Sequence, residues 1–157
     1  MARISRHQMF MEIAQAVAKR STCARLNVGA VVVVDKRVVA IGYNGPEAGQ
    51  PHCSHDCAAM AITGCTRAVH AEVNAMHRIP ASERDQHKIM YVTDSPCKEC
   101  TQKLIEPHFR LDALFYCTPY REMDHLEFIT DLYRILPSGF IINHHTGQVI
   151  ADVTPRS

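Results

Sequence analysis

The sequence predicts an α/β fold in which one sheet carries helices on both faces. Three observations lead there. Apolar segments of strand and helix character follow one another in the order ββαβαβαβ. Strand-helix-strand crossovers lay the helix over the sheet. The 157 residues, 46% of them hydrophobic, are enough for one compact domain that buries its own core.

Over residues 8–20, Phe10, Ile13, Ala14, Val17 and Ala18 recur at helical spacing, with Gln15, Lys19 and Arg20 on the other face. Residues 28–34 are apolar and largely β-branched, Asp35, Lys36 and Arg37 form a polar turn, and 38–43 return as a second strand, so the pair reads as a hairpin. Asn44-Gly45-Pro46 breaks the sheet. Residues 47–69 show no period and read as a long loop that something other than packing must hold. A helix over 71–78, stopping before Pro80, a strand over 87–93, a helix over 97–106 and a strand over 112–117 follow. Residues 121–136 read as a last amphipathic helix, with Leu126, Ile129, Leu132, Tyr133 and Leu136 on one side. A fifth strand covers 140–143, His144-His145 reads as a surface pair, and 146–157 as a flexible tail.

Charge narrows the function classes. Lys plus Arg total 17 against 16 Asp plus Glu, a formal charge of +1 that leaves no surplus positive field for a phosphodiester backbone. No polynucleotide partner is expected. No run approaches the ~18 apolar residues of a membrane span, and the first ten residues carry Arg3, Arg6 and His7 without an apolar signal core. The expectation is a cytoplasmic protein with no membrane contact. Seven cysteines in a reducing compartment are then buried thiols, catalytic thiols or metal ligands, and ten histidines tilt the choice toward metal.

Two short pieces carry the chemistry: His70-Ala71-Glu72, and Pro96-Cys97-Lys98-Glu99-Cys100, each leading into a helical stretch. Cys97 and Cys100 are three apart, so both sulfurs lie on one side of a first turn, at the positive end of the helix dipole that favours thiolate. His70 supplies a third ligand if the two helix starts converge. One imidazole and two thiolates leave a zinc ion's fourth position to water, the catalytic rather than the structural arrangement. Glu72, two residues past the ligand, is placed to move protons instead of binding the metal. The rival is a closed four-ligand structural site, which leaves the His-x-Glu spacing unexplained.

H-x-E followed by P-C-x-x-C is the known signature of zinc nucleobase deaminases. The chain resembles the deoxycytidylate deaminases of phages and Gram-positive bacteria over about residues 4–135. The likeness is carried by Arg20-Ser21-Thr22-Cys23 through Val28-Gly29-Ala30, Gly42-Tyr43-Asn44-Gly45, His70 through Ala75, Tyr91-Val92-Thr93 and Pro96 through Cys100. The resemblance implies a three-layer α/β/α cytidine-deaminase-like fold with a central mixed five-stranded sheet. It implies a homohexamer converting dCMP to dUMP, activated by dCTP and inhibited by dTTP through Gly42, Tyr43, Asn44 and Gly45. Mg2+ would accompany a bound triphosphate. It further implies that Asn44 holds the sugar, that Val28, Gly29, Ala30, Thr93, Asp94 and Ser95 line the base pocket, that Asn27 contacts the substrate, and that Tyr120 stacks near the base. Pro46, directly after Gly45, departs from the family pattern.

Arg25 suits a terminal phosphate, against the alternative of a solvated charge. Cys23, Cys53, Cys57 and Cys65 are candidates for a second, structural zinc tying down the long loop; His52 and His55 compete for that role, and four reduced cysteines are the plain alternative. Rival functions are a tRNA or single-stranded DNA deaminase, a nucleoside deaminase, and a zinc-stabilised nucleotide sensor without catalysis.

Overall fold

The computed structural model describes residues 3–22, 26–46, 68–120 and 122–151. Helix α1 spans Arg6–Ala18, its first turn capped by Ser5 Oγ, which accepts from Gln8 N at 3.1 Å. Strand β1 (Gly29–Val34) turns through Asp35 and Lys36, both at positive φ, into the antiparallel strand β2 (Arg37–Tyr43). That two-residue left-handed turn matches the twist of a hairpin. Strand β3 (Gly45–Pro46) pairs with β4 (Ala68–Val69), which delivers the chain to His70. Then come α2 (Ala71–His77), β5 (Lys88–Asp94), α3 (Lys98–Leu104) and β6 (Leu111–Thr118).

The sheet departs from the sequence expectation beyond β6. Of the helix expected over 121–136, the described residues 122–136 form instead a 3-10 turn at Asp124–Phe128 followed by strand β7 (Leu132–Ile135). Strands β8 (Ile141–Asn143) and β9 (Val149–Ala151) complete the sheet, so the segment read as a tail from Thr146 contributes an edge strand. The central sheet thus has seven strands, not five, in the order β2-β1-β5-β6-β7-β8-β9. It is mixed: β5, β6 and β7 run parallel, with antiparallel pairs on either side. The predicted loop over 47–69 lies outside the described residues except for Ala68 and Val69.

Side chains alternate between two cores. Ala30, Val32, Met90, Val92, Leu114 and Tyr116 face one side, with Ala71 and Ala75 of α2 and Leu104 of α3. Val31, Val33, Tyr91 and Phe115 face the other, with Phe10, Met11, Ala14 and Val17 of α1. This strand period of two explains why β1 is buried along its whole length: it lies between β2 and β5 with a helix layer on each face. On the α1 side an aromatic row runs across the strands, with His7, Tyr91 and Tyr133 rings all within 5.0 Å centroid distance of Phe115. His144 is not a plain surface residue, since its Nδ1 is hydrogen-bonded to Tyr116 Oη at 2.6 Å. Among the described residues, no helix is long and apolar enough to cross a membrane.

Two glycines set the helices against the sheet. A Cβ on Gly29 would lie 2.0 Å from the Ala14 carbonyl oxygen of α1, and one on Gly42 would lie 2.4 Å from both Ala71 O and Ala75 N of α2. Both contacts are with backbone, so these positions have no room for any side chain. The approach at Gly42 fixes where α2 starts, and therefore where His70 and Glu72 stand.

Candidate metal centre

His70 is the N-cap residue of α2, in extended conformation, and its side chain makes no cap bond to the helix. Its ring turns toward α3. Cys97 occupies the N-cap of α3 and Cys100 lies one turn on, with Cys100 N donating to Cys97 Sγ at 3.5 Å. His70 Nδ1 is 3.3 Å from Cys97 Sγ and 3.2 Å from Cys100 Sγ. All three donor atoms lie within 4.8 Å of one another, and among the described residues this is the one His, Cys, Asp or Glu cluster able to hold a metal ion. A tetrahedral zinc with bonds of about 2.0–2.3 Å separates its ligand atoms by about 3.6 Å, which small side-chain rotations reach. The donor set therefore fits zinc.

Protons are shared within the cluster. The Cys97 thiol is pushed down to about 4, first by its hydrogen bond with the Cys100 thiol and then by that with His70. Cys100 is pushed up by the same bond and by burial. His70 is held above its ordinary value by its hydrogen bond with Cys97. Sulfur and nitrogen lone pairs competing for protons at one point are what a soft cation shares. Glu72, 4% exposed, lies against this cluster, close enough to interact with the charges of His70 and Cys97. Burial raises its carboxyl above the usual carboxylate range.

The other residues singled out in the sequence fall into three sets. In the first, Val28 with Asn44, Gly29 with Thr93 and Asp94, and Ser95 with Tyr120 form three hydrogen-bonded groups, and Ala30 is buried in β1. Asn44 is buried, its Oδ1 accepting from Val28 N at 2.8 Å and its Nδ2 donating to Leu26 O, so it clamps the backbone on both sides of the exposed Asn27. Thr93 Oγ1 accepts from Gly29 N at 3.2 Å and donates to Asp94 Oδ1 at 3.0 Å; burial raises the Asp94 carboxyl. Ser95 Oγ accepts from Tyr120 N at 2.7 Å. The second set, Gly42 to Gly45, borders α2: the Tyr43 carbonyl accepts from Asn74 Nδ2 at 2.8 Å, and the Arg78 guanidinium lies 5.7 Å from the Tyr43 ring centroid. The third set, Cys23, Arg25, His52, Cys53, His55, Cys57 and Cys65, lies outside the described residues.

Sequence reasoning missed Asn74, Met123 and His125. Met123 Sδ is 3.4 Å from Ser95 Oγ, and His125 Nε2 is 2.7 Å from the Pro96 carbonyl oxygen. Neither spacing nor composition signals such contacts, because each ends on a backbone atom or on a residue far along the chain.

A sheet between two helix layers, with one imidazole and two thiols meeting at two helix starts, defines the class of zinc-binding deaminase-type domains. The model of the cytidine and deoxycytidylate deaminase zinc-binding region matches residues 4–118, and the chain belongs to that family. It is 38% identical over 126 residues to ComE operon protein 2 of Bacillus subtilis, covering 77% of this chain but 64% of that protein. The chain thus spans less than two thirds of that relative. It is 40% identical over 113 residues to the deoxycytidylate deaminase of Mycobacterium phage D29, covering 64% of this chain and 87% of that one. In fold it resembles the dCMP deaminase of cyanophage S-TIM5, solved in complex with dCMP and dUMP. The TM-score is 0.68 at 23% identity, over 81% of this chain and 94% of that chain.

Proposed function

We propose that the protein is a hydrolase that converts dCMP to dUMP and ammonia in the cytoplasm, supplying dUMP for thymidylate synthesis. The observation that carries this reading is the meeting of His70, Cys97 and Cys100 with the Glu72 carboxyl buried beside them. Family membership and the relatives named deoxycytidylate deaminase support the substrate. Zinc held by His70, Cys97 and Cys100 supplies the Lewis acidity that makes water a nucleophile source near neutral pH.

Glu72 does the proton work. It accepts a proton from the attacking water and passes it to the pyrimidine nitrogen next to the attacked carbon. Glu72 then takes the second proton from the added hydroxyl, which becomes the new carbonyl, and delivers it to the amino group as the carbon–nitrogen bond breaks and ammonia leaves. Val28 to Ala30 and Thr93 to Ser95 wall the base, Asn44 holds the sugar, Asn27 contacts the substrate, Tyr120 stacks near the base, and Arg25 takes the phosphate. Effectors act through Gly42 to Gly45, with dCTP activating, dTTP inhibiting and Mg2+ accompanying the triphosphate, in a homohexamer. Cys23, Cys53, Cys57 and Cys65 hold a second, structural zinc.

Ammonia release from deoxycytidine, dCMP, dCTP and a cytosine-containing oligonucleotide tests the reading. The dCMP rate should be highest, raised by dCTP and lowered by dTTP. Faster release from another substrate would replace dCMP, and none from zinc-loaded protein would favour a nucleotide sensor.

A further inference from the structure

Beyond Thr118, where the family match ends, the chain folds back over the start of α3. Its 3-10 turn, Asp124–Phe128, is firmly seated. Leu126 and Ile129 are buried in the same core cluster as Leu104 of α3. From this seat His125 reaches the Pro96 carbonyl at 2.7 Å. A carbonyl can only accept, so the imidazole Nε2 carries the proton and donates it. Pro96 immediately precedes the metal-cluster thiol of Cys97. Because Cys97 is the N-cap residue, its own carbonyl is the first helix acceptor, bonded by Thr101 N at 2.9 Å, and the Pro96 carbonyl lies upstream of that ladder. Pro96 has no N–H through which the turn could be held instead.

We propose that His125 is a positioning residue for the metal thiolates. The Pro96–Cys97 peptide is a rigid plane, so a bond that fixes its carbonyl also fixes the Cys97 nitrogen and Cα, the anchor from which the Sγ branch starts. From that anchor Sγ makes its 3.3 Å approach to His70 Nδ1. Tyr120 N and Met123 Sδ on Ser95 Oγ hold the preceding residue in the same way, so the turn carrying the thiol is clamped by chain beyond the segment that the family model matches. The inference rests on the zinc reading of the cluster. It extends that reading to an outer partner of the kind that sets metal affinity.

The test uses zinc-loaded and cobalt-substituted full-length protein, comparing wild type, His125→Leu and His125→Gln. Zinc capture by a chromogenic chelator should be about 10–100-fold faster in His125→Leu, with altered cobalt–thiolate absorption in the visible and near ultraviolet. His125→Gln, whose amide nitrogen can reach the same carbonyl, should restore both. Wild-type release and spectra in His125→Leu, or a Gln variant no better than Leu, would overturn the assignment. Should His125→Leu not fold, His125→Glu against His125→Gln replaces it: equal release rates from these two similar shapes would refute the role, and faster release from Glu upholds it. A wild-type protein that takes up neither zinc nor cobalt sinks the metal reading and the inference with it.

Discussion

Glu72 combines deep burial with a place one step from a metal ligand, and its substitution separates two roles. In Glu72→Gln the shape is kept and the ability to take up a proton is lost, while His70, Cys97 and Cys100 are untouched. Turnover of dCMP should fall by about 10²–10⁴-fold with zinc content unchanged, read by ammonia release and metal analysis on the same sample. A variant within threefold of wild type would remove Glu72 from the reaction. The residues of this cluster were legible in the sequence because their spacings follow from one turn of helix. Asn44 was singled out only through resemblance, and what the structure shows is its amide pinning the backbone around Asn27. His125 left no trace in the sequence, since a bond to a main-chain carbonyl constrains no partner side chain.

At the scale of elements, the seat of α2 on β2 makes a sharp prediction. A Cβ at Gly42 meets two backbone atoms at 2.4 Å, neither free to swing aside, whereas one at Gly45 meets its nearest neighbour, Thr22 Oγ1, at 3.7 Å, an ordinary contact. Gly42→Ala should cost about 1–3 kcal/mol and lower zinc occupancy by displacing the helix start that bears His70. Gly45→Ala should do neither, and thermal melts with metal analysis would compare them. If Gly42→Ala melts and loads zinc like wild type, α2 is not held by this contact. The failed helix over 121–136 has an equally local cause. Leu132 and Ile135 are three apart, which on a helix is one face but on a strand is opposite faces. Leu132 packs on the α2–α3 side and Ile135 on the α1 side. A strand buried on both faces can thus imitate a helical stripe, and the 3-10 turn ahead of it, burying Leu126 and Ile129, extends the imitation.

For the molecule as a whole, burial of two imidazoles predicts acid sensitivity. His7 is pushed below its ordinary 6.5 by burial and then by Arg6; His144 is pushed below it by burial, His145 and Arg134. Both are favoured as neutral rings in the folded state, so the unfolded chain binds more protons once the pH drops below 6.5. Their contribution is present above that value and is lost as pH falls through the lower folded values. The share of stability that His7 and His144 contribute should therefore be lost on acidification from about pH 7 to about pH 5, so the melting temperature of His7→Gln should fall less than that of wild type over this range. An unchanged slope would remove His7 from the effect. The sheet's middle was legible from β-branched runs and the crossover order, and β8 from the strand expected at 140–143, but β7 was hidden in a helical stripe and the three-residue β9 in a segment read as tail.

The hairpin holds one more consequence. Gly29 opposes Tyr43 and Gly42 opposes Ala30 in the β1–β2 register, so the two glycine contacts sit at adjacent rungs and grip helices on opposite faces. Layer spacing at this station is dictated by main chain touching main chain, independent of side-chain volume. Redesigning the apolar filling elsewhere should therefore leave the start of the second helix, with His70, in registration with the sheet.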